Sequence, residues 1–108
     1  MTVGELATRY SLRRLAVCDA ERVVEGAYIG DLLSWVMGRA SQGNAWITIM
    51  SNVNIVAVAT LVNVSCIILA EGVSLDDEVI NVAISKGINV LASDKNAYEL
   101  SVMLSKVI

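Results

Sequence analysis

Six polar side chains of this sequence stand where predicted strands end and helices begin, and they are its best candidates for binding a small ligand. They are Asp31, Ser51, Asn52, Asn54, Glu71 and Asp94. The carboxyl ends of the strands in an open parallel sheet share one edge, where helix N-termini present free N–H groups and a positive dipole end. Such an edge can hold a nucleotide or a phosphorylated metabolite without any catalytic group. Taken singly, Asp31, Asn54 and Asp94 are explained more simply as N-caps.

Most catalytic chemistry is excluded by residues that the sequence lacks. The chain has no His, which excludes Ser-His-Asp triads and His-ligated metals. Its two cysteines, Cys18 and Cys66, lie far apart and predict neither a zinc site nor a disulfide framework. The glycine-rich loops G-x-x-x-x-G-K-S/T and G-x-G-x-x-G do not occur. We therefore predict no catalytic residues, no metal and no cofactor, in a protein that is not an enzyme.

Length and charge narrow the class of protein further. The chain has 108 residues, which predicts a single domain over 1–108, and its formal net charge of −3 argues against a nucleic-acid partner. The uncharged run between Arg39 and Glu71 is interrupted by polar clusters at 42–44 and 51–54, so it predicts buried elements and no membrane span. The first ten residues lack the pattern of an export signal, and we expect a cytoplasmic protein.

Strands and helices are predicted to alternate along the chain. The predicted strands are 12–17, 26–29, 45–49, 66–70 and 89–91, and helices follow the last four, after a short first helix that ends near residue 9. The repeated β-α order from Gly26 onward places parallel strands beside one another with helices on both faces. The predicted fold class is therefore α/β, a three-layer α/β/α domain with a mostly parallel sheet of about five strands.

Capping residues predict where the helices begin. Thr2 and Glu5 have the spacing of a capping box for the first helix. Asp31, Ser74, and either Ser93 or Asp94 are the predicted N-caps of three later helices. The apolar face predicted for the second helix consists of Leu32, Leu33, Val36, Met37 and Ala40.

The predicted helix at 54–62 has no charged residue and no polar face. A helix that is apolar all round must be buried on every side, which a domain of this size achieves only if one face packs on the sheet and another on a second subunit. The residues expected at a homodimer interface are Ile55, Val56, Val58, Ala59 and Val62. Replacement of Val58 by Asp is accordingly expected to disperse or unfold the dimer.

A family resemblance covers roughly residues 3–107. The run VSCIILAEGVSLDDEVINVAISKGINVLASDKNAYEL, from Val64 onward, resembles the second half of the DRTGG domain, which is found also in the N-terminal part of HPr kinase/phosphorylase. The upstream runs GAYIGDLLSWVM and AWITIMSNVNIVAVA resemble small stand-alone members of that family. The Asp-Arg-Thr-Gly-Gly signature itself is missing, and its place is taken by Ser51-Asn52-Val53-Asn54.

The resemblance implies an α/β regulatory or interaction module that is often appended to other domains and is able to dimerise. Kinase or phosphorylase activity does not carry over, because the phosphate-binding loop and the catalytic domain of the kinase are absent. Two hypotheses remain open. One is a non-catalytic homodimeric module, which could also bind another protein partner, and the alternative is a sensor that binds a nucleotide or small metabolite at the strand ends.

Overall fold

The computed structural model describes residues 1–108 and contains five strands and five helices. The strands are β1 (Arg13–Ala16), β2 (Gly26–Ile29), β3 (Asn44–Thr48), β4 (Cys66–Leu69) and β5 (Val90–Ala92). The helices are α1 (Val3–Arg9), α2 (Leu33–Arg39), α3 (Asn54–Val62), α4 (Asp77–Ser85) and α5 (Ala97–Ser105). The predicted alternation of strands and helices is confirmed, with most boundaries within two residues of those expected.

The five strands form one sheet in the order β1-β5-β4-β3-β2. The strands from β2 to β5 are parallel, and β1 pairs antiparallel with β5, with an irregularity in register between Arg14 and Ala16. Because the parallel strands follow one another across the sheet in chain order, right-handed crossovers place α2, α3 and α4 on one face. Helices α1 and α5 cover the other face, and the three-layer prediction is confirmed.

Alternation along each strand supplies the two halves of the core. Trp46 and Ile67 point toward the face covered by α2, α3 and α4. Ala45, Ile47 and Ile68 point toward α1 and α5. Successive side chains of a strand lie on opposite faces, so a central strand that is covered on both sides reads as a continuous apolar run. Every residue of β4 is buried for this reason.

Helix α3 forms over the predicted residues, and within this single chain one of its sides is buried and the other is exposed. Ile55, Val56, Val58 and Ala59 are buried against the sheet and the neighbouring helices of the same chain. These side chains therefore have almost no surface to offer a second subunit, and Val62 packs partly against the same core. The outward side of α3 consists of Asn54, Ala57, Thr60 and Leu61, of which Leu61 is 72% exposed.

The predicted apolar face of α2 also needs correction. Only Val36 is fully buried, while Leu32 and Met37 are largely exposed. Strand β2 is the last strand of the sheet, so the helix that follows it has β2 and α3 beside it and no further neighbour beyond. The Trp35 ring is exposed as well and lies 3.7 Å from the guanidinium carbon of Arg39. The helical layer thus leaves several large apolar side chains in contact with solvent.

One of the predicted caps is confirmed. Glu5 N donates to Thr2 Oγ1 (3.1 Å), and Thr2 N donates to Glu5 Oε1 (3.0 Å), which completes the capping box of α1. Two hydrogen bonds from Thr2 lower the pKa of the Glu5 carboxyl, because both stabilise its charged form. The bond from the backbone N–H has the larger effect, and the bond from the hydroxyl has the smaller one.

The other predicted caps are displaced along the chain. The N-cap of α4 is Asp76 and not Ser74, because Val73 and Leu75 still pack on the core before the helix begins. The N-cap of α5 is Asn96, whose side chain accepts from Glu99 N (2.9 Å) in a second capping box. The sheet continues to Ser93, whose N–H donates to Leu69 O (2.9 Å), so neither Ser93 nor Asp94 is free to start the helix.

The two cysteines are expected to react at very different rates with a thiol reagent. Cys18 is exposed, whereas Cys66 lies in the middle of the sheet, where burial raises the pKa of its thiol from 9.0 to about 12. Treatment of the folded chain with iodoacetamide should therefore modify Cys18 alone, and mass spectrometry after denaturation should then show modification of both. Rapid modification of Cys66 in the folded state would contradict its position in β4.

The raised pKa also predicts the direction of a pH effect. The folded state holds the Cys66 proton to higher pH than the unfolded state does, so this group contributes stability fully below about pH 9. That contribution is lost as the pH rises toward about 12. Urea unfolding in the alkaline range should show the loss, and a Cys66→Ala variant should lack that part of the pH dependence.

Candidate functional site at the carboxyl edge of the sheet

A small cavity of about 130 Å³ lies at the carboxyl ends of β2, β3 and β4. Its polar lining comes from Asp31, Thr48 and Glu71, and its apolar lining includes Ile47 and Ala97. The structure thus brings together two of the six predicted ligand-binding residues, Asp31 and Glu71. Thr48 was not among the predicted residues, and its position near the end of the predicted strand 45–49 is the only signal for it in the sequence.

Asp31 is positioned by the neighbouring strand and does not cap α2. Its Oδ1 accepts from Thr48 Oγ1 (2.8 Å) and from Ile49 N (3.0 Å), so the carboxylate joins the end of β2 to the end of β3. Trp46 Nε1 donates to Gly30 O (2.9 Å) and holds the same loop from the core. The N-cap of α2 is Leu32, which makes no side-chain capping bond.

Glu71 occupies a tight turn after β4. Its φ is +61°, a left-handed conformation that is uncommon for a residue other than glycine, and Gly72 follows with φ +74°. Glu71 N donates to Lys95 O (2.9 Å) and Gly72 N to Ser93 O (2.9 Å), so the turn is fastened to the segment after β5. The Glu71 side chain makes no hydrogen bond and stays exposed beside the cavity.

Asp94 lies outside this cavity. Its Oδ1 pairs with Arg13 Nη1 at 3.0 Å, which links the segment after β5 to β1 at the far side of the sheet. Both side chains are well exposed, and an ion pair in that setting contributes about 0–1 kcal/mol. Asp94 therefore has a local partner and is separated from the pocket that contains Asp31.

Ser51, Asn52 and Asn54 are exposed and line no part of the cavity at the strand ends. Asn52 Oδ1 accepts from Asn54 N (2.9 Å), a local turn that leads into α3. The six predicted residues therefore lie in three separate places. Crevices in open α/β sheets form where the strand order reverses, and the parallel strands β2 to β5 run across the sheet without any reversal.

The cavity at the strand ends favours small cationic or hydroxyl-bearing groups over phosphates. Two carboxylates repel a phosphate, and about 130 Å³ is well below the 300–1,000 Å³ or so of pockets that enclose typical small-molecule ligands. No three His, Cys, Asp or Glu side chains come together in an arrangement that could hold a metal ion. The geometry at this edge therefore does not support a nucleotide in this cavity.

A second surface feature was not predicted. A groove of about 430 Å³ runs between α3 and α4, and it is lined by Val53, Ala57, Leu61 and Val82, with Lys86 at one side. The sequence signal for it is the spacing of Val53, Ala57 and Leu61, four residues apart, which places them on one side of α3.

None of the helices is both long enough and apolar enough to cross a membrane.

Comparison with solved structures identifies a protein of similar fold. No curated protein matches the sequence. One similar solved structure is described as the "CBS and DRTGG domains of the regulatory region of Clostridium perfringens pyrophosphatase complexed with activator, diadenosine tetraphosphate". It matches with a TM-score of 0.78 and 17% identity over 95% of this chain, which shows a shared fold. This chain corresponds to only 45% of that one.

The family comparison covers most of the sequence. The model of the DRTGG domain matches residues 15–107, from the end of β1 to the residues after α5. The match therefore includes all four parallel strands and the helices that connect them. The chain belongs to the DRTGG domain family.

Proposed function

We propose that this chain is a non-catalytic regulatory module that forms a homodimer through the outward face of α3. This face is the apolar strip of Val53, Ala57 and Leu61, which lies beside the polar Asn54 and Thr60. Membership of the DRTGG domain family supports a regulatory role. The similarity in fold to the regulatory region of a pyrophosphatase supports it further. The observation that supports a dimer is the exposure of this apolar face. We propose it as the interface in place of the residues predicted from the sequence, most of which are buried within the chain.

The outward face has the chemistry of a contact between identical subunits. Val53 is 46% exposed and Leu61 is 72% exposed, although both are large apolar side chains. Helix α3 carries no charged residue, so a second copy can pack on the helix itself without desolvating a charge, and the one charge at the groove, Lys86, lies at its side. In a two-fold symmetric contact, Leu61 of each copy would enter the α3–α4 groove of the other.

Replacement of Leu61 by Glu is expected to convert the dimer into a folded monomer. Leu61 is exposed within the chain, so the substitution leaves the fold intact but places a charge in the centre of the contact. An interface residue of this kind contributes about 2 kcal/mol or more, so the dissociation constant should rise by at least roughly 30-fold. Analytical ultracentrifugation over a range of concentrations measures this change.

Ile84→Glu is the matched control for that experiment. Ile84 is 53% exposed on the neighbouring helix α4, but it does not line the groove. This variant should dimerise like the original chain. A monomeric original chain, or an unchanged dimer in Leu61→Glu, would refute the proposed interface.

A second candidate function is regulation by a bound nucleotide. The observation in its favour is that the similar pyrophosphatase region was crystallised with an activating dinucleotide. The strand-end residues Asp31 and Glu71 do not fit that ligand class, for the reasons of size and charge given above. For this edge we retain only a ligand smaller than a nucleotide. The cytoplasmic location and the relation to HPr kinase/phosphorylase stay predictions.

A further inference from the structure

A second cavity, which adjoins the strand-end cavity at the start of α5, has the chemistry that the strand-end cavity lacks. It has a volume of about 410 Å³ and lies between the end of α1 and the outer side of α5. Tyr10 and Tyr98 supply aromatic rings, Lys95 and Lys106 supply positive charges, and Val102 and Met103 supply apolar surface. Its volume is within the range of about 300–1,000 Å³ that is usual for pockets that bind small molecules.

Tyrosine and lysine are uncommon in this chain but are concentrated at this cavity. The sequence has three tyrosines and three lysines, and two of each line this one cavity. The guanidinium carbon of Arg9 lies 5.6 Å from the centre of the Tyr10 ring, which brings a third cation close to the cavity. In a chain whose net charge is −3, this is a local excess of positive charge next to aromatic surface.

The cations at this cavity have no acidic partner. The only ion pair in the structure joins Arg13 to Asp94, so Arg9, Lys95 and Lys106 pair with no carboxylate. The one acidic residue in the lining, Glu99, already uses its Oε1 to accept from Asn96 N (3.2 Å) in the capping box of α5. The lining therefore has a net positive charge, from two lysines and one glutamate, that can attract an anionic ligand.

The framework of the cavity is held in place by core packing and by hydrogen bonds of the backbone. Met103 is buried and anchors α5 on the sheet. The Lys95 backbone is fixed because its carbonyl accepts from Glu71 N (2.9 Å) and its N–H donates to Ser93 Oγ (3.1 Å). The second capping box, formed by Asn96 and Glu99, fixes the start of α5 between Lys95 and Tyr98. The lysines and tyrosines thus project from a rigid framework.

From this arrangement we infer that the Tyr10–Tyr98 cavity binds a nucleotide, with the base against the tyrosines and the phosphates at one of the two lysines that flank α5. Aromatic side chains stack on nucleobases of any sequence, and lysines bind phosphates as point charges. This site is separate from the α3 face, which lies on the opposite side of the sheet. The inference therefore does not depend on the proposed dimer.

The test is calorimetric titration of the full chain with ADP, adenosine and inorganic pyrophosphate. ADP should bind more tightly than either of its parts, because only ADP uses both the tyrosines and the lysines. Replacement of exposed Tyr98 by Ala should weaken ADP binding by about 5- to 100-fold. The double variant Lys95→Gln, Lys106→Gln should weaken ADP and pyrophosphate alike, and added salt should do the same.

Lys86→Gln is the matched control, because Lys86 is the remaining lysine and lies at the α3–α4 groove. It should bind ADP like the original chain, and so should Leu61→Glu, whatever its oligomeric state. The inference is overturned if ADP does not bind at millimolar concentration. It is also overturned if the double lysine variant binds unchanged, or if Asp31→Asn and not Tyr98→Ala removes the binding.

Discussion

Replacement of Val58 by Asp is expected to unfold the chain itself, whether or not the chain forms a dimer. Val58 is 6% exposed and belongs to a core cluster made entirely of apolar side chains, so the new carboxylate would have no partner there. An unpaired buried charge costs several kcal/mol, and a whole domain is stabilised by only about 5–15 kcal/mol. Circular dichroism should show the loss of the cooperative thermal transition, at every protein concentration.

Ala57→Asp is the control in the adjacent position. Ala57 faces outward, so the same carboxylate stays in water and costs about 1 kcal/mol or less in helix propensity. This variant should keep its fold, and because Ala57 belongs to the outward face of α3 it should weaken the proposed dimer. If Val58→Asp retained the original melting temperature, or if Ala57→Asp unfolded instead, the assignment of buried and exposed sides of α3 would be wrong.

The second large effect is expected at Asn89, a buried polar residue that joins three segments of the chain. Its Oδ1 accepts from Cys18 N (2.8 Å) and Asp19 N (2.9 Å), and its Nδ2 donates to Asp19 O (2.8 Å) and Ser65 O (3.0 Å). The amide therefore satisfies backbone groups of the segment after β1 and of the residue before β4. It makes every hydrogen bond for which that side chain has donors and conventional acceptor positions.

Asn89→Ala should lower the free energy of unfolding by about 3 kcal/mol or more, because it leaves the buried Ser65 carbonyl and the partly buried backbone groups of Cys18 and Asp19 without partners. In a domain of this size that corresponds to a fall in melting temperature of at least roughly 12 °C. Asn52→Ala is the control, since Asn52 is exposed and makes one local hydrogen bond. Equal melting temperatures for the two variants would show that the Asn89 contacts do not stabilise the fold.

Periodicity and composition were sufficient to predict the elements and the class of fold. The continuous apolar run at Cys66–Leu69 identified a strand covered on both faces, and the uncharged segment Asn54–Val62 was correctly predicted as a helix. The spacing of Thr2 and Glu5 predicted a capping box that forms. These predictions are correct because they depend on local geometry and on the alternation of side chains along an element.

The starting points of helices were less predictable. Ser74 and Asp94 are good capping residues, yet the helices begin after Asp76 and Asn96. The pair Asn96 and Glu99 has capping-box spacing in the sequence, and this spacing is the signal for the cap that forms. The choice among neighbouring candidates depends on where the sheet ends and on which residues still pack on the core.

The predicted ligand site depended on which loops lie next to one another in the fold, and local sequence patterns do not show this. Asp31 and Glu71 do meet at the carboxyl edge, but Asp94 pairs with Arg13 and Asn52 turns into α3. A sequence indicates that polar residues follow strands, whereas the order of those strands decides whether a crevice opens between their loops. In this chain the order β1-β5-β4-β3-β2 leaves only a small cavity at that edge.

The sequence alone therefore determined the element types, the α/β class and the family, because these depend on local periodicity and on motifs that span the chain. The tertiary structure alone decided which side of α3 faces water and which tyrosines and lysines share a cavity. Helix α3 has no charged residue on any side, so charge could not distinguish its sides, and packing against the sheet does so. Tyr10 and Tyr98 are distant in the chain and meet only because α1 and α5 cover the same face of the sheet.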